Sequence, residues 1–304
     1  MSTPPPSSFR HPGPPPRRPE LPEGVWRPEP EPPAPGRGAD FAALRAVPLW
    51  APLVVALAAL VSASIGFAVI VALAGLSTEA AQDAPGPLLG ATFLQDLVLV
   101  GGALLVARMA LSTRPAERLG LRTTAFWPAV GWAALIYFGY WVVSAVVLVA
   151  FGQPPEQDVT QDIRAEDSLG VLIAYALLIC MAAPIAEELF FRGLLFGALA
   201  ARLGIVAGAL ATGVLFSLVH APGSPAEALI VLFVLGAGLC LLLTLTGSLL
   251  PCIGIHALNN SISFAVTKEM AAPTALLVIV GSVAVSVLAG VAIARFRAAR
   301  PVPA

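Results

Sequence analysis

The stretch Ala183 to Gly193 reads A-P-I-A-E-E-L-F-F-R-G and sets three formal charges, Glu187, Glu188 and Arg192, into an otherwise apolar run. An ionised carboxylate in hydrocarbon costs several kcal/mol, so acids at such positions face a bundle interior or a water-filled cavity and mark functional sites. On a helix, residues four apart share a face while neighbours point about 100° apart. Glu188 can therefore pair with Arg192 in the favourable acid-first order, and Glu187 is left without a local partner, as a general base requires. The same three residues also read as a structural charge cluster at one end of a membrane span.

Two further features bear on that choice. Of the three histidines, His11 falls in a proline-rich N-terminal stretch, whereas His220 and His256 fall in apolar segments. Asn260 follows His256 by four residues, on the same helical face. These residue types allow two forms of peptide hydrolysis. In one, Glu187 and His220 hold and deprotonate a water that attacks a carbonyl, while His256 and Asn260 donate hydrogen bonds to the oxyanion. In the other, Glu187, His220 and His256 ligate Zn²⁺, two histidines and a carboxylate being a known catalytic set. Asn suits the first role better, as a ready donor and an uncommon zinc ligand. Intramembrane Glu and His also serve proton relays in transporters, but no inverted repeat relates the two halves of the chain.

The elements that must position these residues are membrane helices. The chain has 304 residues, 58% of them hydrophobic and 12% charged, with a mean hydropathy of +0.86. That composition describes an all-α polytopic membrane protein and excludes a soluble domain. The net charge of -1 and the lack of a basic patch leave no nucleic-acid partner to expect. Cys180, Cys240 and Cys252 lie in apolar spans and read as small buried hydrophobes, with no disulfide framework.

Residues 1–48 hold 15 of the 29 prolines and six arginines, which predicts a disordered cytoplasmic tail. Residues 49–165 then carry three spans, about 49–76, 88–111 and 126–151, and 166–298 form a second transmembrane region. Gln95 and Asp96 interrupt the second span; Asp96 could line the cavity, but a position near the outer interface explains it as well, so it stays outside the expected site. The loop after span one is acidic, the loop after span two basic with Arg114, Arg118 and Arg122, and the loop at 152–168 acidic again. By the positive-inside rule both termini are cytoplasmic, in the plasma membrane, with about eight spans.

Span four runs from about Leu169 through Pro184 and the two acids to about Arg202, and Gly204 turns it into span five. Glu187 lies 17 residues before that glycine and His220 16 after it, so an antiparallel hairpin brings them to one depth. His256 lies nearer the cytoplasmic start of its own span. The three converge only if the hairpin projects past the membrane surface.

Glu187-Glu188-x-x-x-Arg192, then Phe216-x-x-x-His220, then His256-x-x-x-Asn260, in this order on successive spans, resembles the CPBP family: CAAX-processing type II prenyl endopeptidases and bacteriocin-processing or immunity proteins, also called Abi. The matching region is about Ser168 to Thr267. The resemblance implies an eight-helix intramembrane protease with an intramembrane catalytic cavity opening to the cytoplasm. It implies that Glu187 and His220 activate water and that His256 and Asn260 stabilise the oxyanion, supported by Glu188, Arg192 and Phe216. It favours a metal-free, glutamate-dependent reaction over the zinc alternative. The expected partners are the lipid bilayer and a membrane-associated protein or peptide substrate. A non-catalytic scaffold or immunity factor built from the same residues is the competing reading.

Overall fold

A computed structural model of the chain describes residue 39 and residues 41–298, apart from 83, 112–114 and 154. The proline-rich stretch up to residue 38 lies outside the described residues. The described ones form helices and turns and no strand. In chain order the helices that matter here are α1 Trp50–Ala74, α2 Pro85–Ala110, α3 Phe126–Phe151, a short amphipathic α4 Asp158–Ala165, α5 Leu169–Leu203, α6 Ile205–Val219, α7 Ala226–Thr246, α8 Leu249–Thr267 and α9 Ala272–Ala298.

Seven of these are long and apolar enough to cross a bilayer; α6 is not. Its 15 residues rise about 22 Å at 1.5 Å per residue, against a hydrocarbon thickness of about 30 Å. The eight expected spans are therefore seven helices long and apolar enough to cross and one shorter apolar helix. The outward side chains of α1 and α3, among them Leu53, Leu57, Leu135 and Phe138, are large, apolar and exposed. Such a surface suits lipid and not water.

The sequence fixes the breaks between helices. Gly247 ends α7 with φ of +65°, a left-handed conformation that glycine adopts without a Cβ penalty. Ser248 then caps α8, its side chain accepting from the Leu250 amide. Gly204 ends α5 at φ of +83° and starts α6 at once, giving the tight hairpin that the sequence implies.

α5 is 35 residues long, about 52 Å of helix, well beyond a bilayer crossing. Gly193 packs where a Cβ would stand 3.0 Å from the Leu119 carbonyl oxygen and 3.4 Å from Leu249. Gly193 thus packs beside the start of α8, ten residues before Leu203 ends α5.

Two expectations about domain boundaries change. The tail does not extend to residue 48, because Ala42–Ala46 form a 3-10 turn with Leu44 and Val47 buried. Leu44 packs on Gly197, and Arg202 at the tip of the hairpin donates to the carbonyls of Arg45 and Val47, both at 2.7 Å. Nor are 49–165 and 166–298 separate domains. One continuous core joins Val55, Leu99 and Leu119 to Phe190, Phe216, Leu239 and Ile253.

The helix ends form two sets. At one, the connection after α2 meets the α7–α8 turn: Arg122 Nε donates to the Gly247 carbonyl at 2.6 Å, and the Leu249 amide donates to Gly120 at 2.9 Å. At the other, the Asp158 amide donates to the Gly223 carbonyl at 3.0 Å, and Lys268 Nζ donates to the carbonyls of Arg164 and Glu166 at 3.2 and 2.7 Å. The second set ties α4 to the ends of α6 and α8.

Candidate functional site

Pro184 and the acids that follow it shape the site through the backbone of α5. The helix passes from α into π geometry at Leu178–Ala182, returns to α at Ala183–Glu187, and is π again over Glu188–Phe196. Such bulges concentrate at functional sites. In the first bulge the Ala183 amide donates to the Leu178 carbonyl, five residues back. In that register the next carbonyl, Ile179, would accept from residue 184, which is proline and has no N–H. Asn260 fills the gap: its Nδ2 donates to the Ile179 oxygen at 3.0 Å. Proline on α5 thereby fixes an amide on α8.

Glu188 and Arg192 are fully buried and paired, Oε1 to NH1 at 2.8 Å, as the i, i+4 spacing requires. The guanidinium lies 4.3 Å from the centre of the Phe216 ring, close enough for a cation–π contact. Sequence spacing alone did not reveal the second partner of Glu188. His256 Nδ1 donates to the same Oε1 at 2.7 Å, leaving His256 Nε2 at 3.9 Å from Glu187 Oε2. Glu187 is less enclosed, its side chain 15% exposed, and its Oε2 accepts no hydrogen bond from the described residues. The sequence distinction between a paired and an unpaired glutamate is therefore physical.

His220 caps the end of α6. Its Nδ1 lies 2.8 Å from the Phe216 carbonyl oxygen. A carbonyl only accepts, so Nδ1 carries the hydrogen, and in the neutral ring Nε2 keeps its lone pair. The Phe216 ring stands between the two histidines, with centroid distances of 4.9 Å to His220 and 5.9 Å to His256.

Glu187, Phe216, His220, His256 and Asn260 line one cavity of about 730 Å³. Its other walls come from α1 (Ala56, Leu60), α2 (Gln95, Leu99), α3 (Tyr140, Trp141), α4 (Thr160, Ile163) and α7 (Glu227, Leu232). Glu188 and Arg192 stand behind it, out of the lining. One polar residue of the lining was not anticipated. Asn259 lines the cavity, with Tyr137 Oη at 3.4 Å from its Oδ1. Asp96, which on sequence could line the cavity or lie near the outer interface, is 5% exposed and outside the cavity lining, and neither carboxylate oxygen has a hydrogen-bond partner among the described residues.

Among the described residues no three His, Cys, Asp or Glu side chains form a group able to hold a metal ion. Glu187, His220 and His256 share the cavity without converging as a ligand set, so no step proposed below passes through zinc. The three cysteines are buried and unpaired.

A lipid-facing helical bundle enclosing a cavity lined by glutamate, histidine and asparagine defines a polytopic membrane protein with a polar cavity inside its helical bundle. Residues 169–262 match the Rce1-like family, described as type II CAAX prenyl endopeptidase Rce1-like, which bears out the resemblance read from the motifs and supports an intramembrane CAAX-type endopeptidase. The match covers just under a third of the chain and contains Glu187, His220, His256 and Asn260. Neither a curated protein nor a solved structure matches the chain.

Proposed function

We propose that the protein is an intramembrane endopeptidase that cleaves a membrane-associated protein or peptide by glutamate-dependent attack of water. The observation that carries this reading is the division of labour between adjacent glutamates. Glu188, outside the cavity lining, is committed through Oε1 to Arg192 and His256, while Glu187 lines the cavity and keeps an oxygen there without a hydrogen-bond partner among the described residues.

In this mechanism Glu187 takes a proton from a water that His220 Nε2 also holds by its lone pair. The activated oxygen adds to the scissile carbonyl, and the carbonyl oxygen gains charge. Asn260 has two amide hydrogens; one anchors it to Ile179 and the second serves the oxyanion. His256 Nε2 donates only as an imidazolium, for which Glu187 and Glu188 supply the counter-charge. Glu187 then passes its proton to the leaving amine. The cavity accommodates a short extended segment, and the lipid-facing bundle requires that segment to arrive with a membrane-associated chain. The arginine-rich connections and termini favour cytoplasmic N- and C-termini.

The test compares membrane-fraction peptides from cells carrying wild type or Glu187→Gln at matched expression. Peptides present with wild type and lost with the variant support the reading. An identical inventory with both proteins folded would sink it in favour of a scaffold or immunity role.

A further inference from the structure

Where the cavity reaches the surface has a bearing on substrate. Its lining meets inter-helix connections at only one end of the bundle, among the described residues: Pro155 and Gln157 lead into α4, Thr160 lies on it, Glu227 opens α7 and Thr267 closes α8. None of the lining residues belongs to the connections at the opposite end. There, beyond Glu187, the way is filled by Leu119, Leu121, Leu194, Leu243 and Leu249, each no more than 2% exposed.

The two ends differ in charge as sharply as in access. The closed end carries Arg118 and Arg122, with Glu117, in one connection, Arg202 at the hairpin tip, and Arg295 and Arg297 in the last turn of α9. The open end carries Glu156, Asp158, Asp162, Glu166 and Asp167 between α3 and α5, with Arg164 as the base of that connection and Lys268 after α8. Arginine and lysine near span ends are retained on the cytoplasmic side. The closed end is the cytoplasmic one.

From these two asymmetries together we infer that the cavity opens away from the cytoplasm, and that the enzyme acts on the extracytoplasmic juxtamembrane stretch of a membrane-anchored protein or peptide. The inference rests on the endopeptidase reading for its substrate and on charge and packing for its direction. It departs from the cytoplasmic opening that the family resemblance implies, and from any substrate presented as a cytoplasmic C-terminus.

The direction is tested on the full-length protein in intact cells with a membrane-impermeant maleimide, using Thr160→Cys at the mouth and exposed Thr123→Cys at the opposite end. Wild type gives the background from the three buried cysteines. Thr160→Cys should be modified before permeabilisation and Thr123→Cys only after it. The reverse order overturns the inference. If Thr160→Cys reacts under neither condition, exposed Gln153→Cys in the same connection decides by the same criterion. Cleavage sites mapped from peptides lost in Glu187→Gln should fall on extracytoplasmic stretches, and cytoplasmic sites would overturn the substrate assignment. An unchanged peptide inventory with outward labelling of Thr160→Cys would defeat the endopeptidase reading while leaving the direction of the cavity established.

Discussion

His256 and Glu188 are joined by a hydrogen bond of 2.7 Å, on the carboxylate oxygen that also pairs with Arg192 at 2.8 Å. Glu188 therefore holds two cationic or hydrogen-donating groups in a site from which water is excluded. Removing it leaves a buried guanidinium uncompensated, a change that costs about 3–5 kcal/mol. Glu188→Gln should lower the unfolding temperature of the detergent-solubilised protein markedly. Glu187→Gln, at a side chain with no partner inside hydrogen-bond distance, should leave that temperature nearly unchanged and reduce peptide cleavage by about 10²–10⁴-fold. A stable, inactive Glu188→Gln beside a stable, active Glu187→Gln would reverse the roles.

The bond from Asn260 to the Ile179 carbonyl yields a second prediction, separable from catalysis. Asn260→Ala orphans a buried carbonyl and should cost about 1–3 kcal/mol. Pro184→Ala supplies an N–H in the register that the carbonyl lacks. In the double variant Pro184→Ala/Asn260→Ala the loss should therefore be smaller than the two single losses combined, by about 0.5–2 kcal/mol in a double-mutant cycle of thermal unfolding. Strict additivity would show that the carbonyl finds no replacement donor and that Pro184 does not set the position of Asn260.

Much of this site was legible before any coordinates. The Glu188–Arg192 pair follows from i, i+4 spacing, and the meeting of Glu187 and His220 on one cavity from counting residues around Gly204. Those are local or single-hairpin relations, which helical geometry fixes. His256 bonding to Glu188 instead of to the substrate side alone was not legible, because the rotation of α8 against α5 is set by packing between helices 68 residues apart in sequence. Nor were the π bulges, which depend on which carbonyl a strained turn selects. The position of Asp96 stayed open between cavity and interface for a related reason: depth along a span can be counted, but the face that a lone acid turns inward cannot.

Phe216 depends on a glycine of the neighbouring helix. A Cβ on Gly236 would stand 3.1 Å from both the Phe216 ring and the Cα of Gly213. Phe216 in turn contacts Arg192, His220 and His256. Gly236→Ala should displace the ring, cost about 1–3 kcal/mol as an overpacked core does, and lower cleavage activity beyond what the stability loss explains. Gly238→Ala, two residues along α7, meets only the side chain of Ile136, also at 3.1 Å. That side chain can yield, so the variant should retain activity. Equal losses in the two variants would argue for a general effect on α7 and not for support of Phe216.

Lys268 holds the helix that lies across the mouth of the cavity. α4 has eight residues, too few to persist in water unaided. Its C-terminal carbonyls are orphaned by helix geometry, and the Lys268 ammonium donates to those of Arg164 and Glu166 next to its end. A cation at that position both satisfies the carbonyls and opposes the negative end of the helix dipole. Hydrogen bonds from a charged donor contribute about 1.5–3 kcal/mol. Lys268→Met keeps the length of the side chain and removes the donor, so amide exchange across 158–166 should quicken by about tenfold or more, at 1.4 kcal/mol per factor of ten. Amides of the buried part of α8 should keep their rates, which separates release of α4 from loosening of the bundle. Unchanged exchange over 158–166 would mean that the backbone bond between Asp158 and Gly223 and the Arg164–Glu156 ion pair suffice to hold α4 in place.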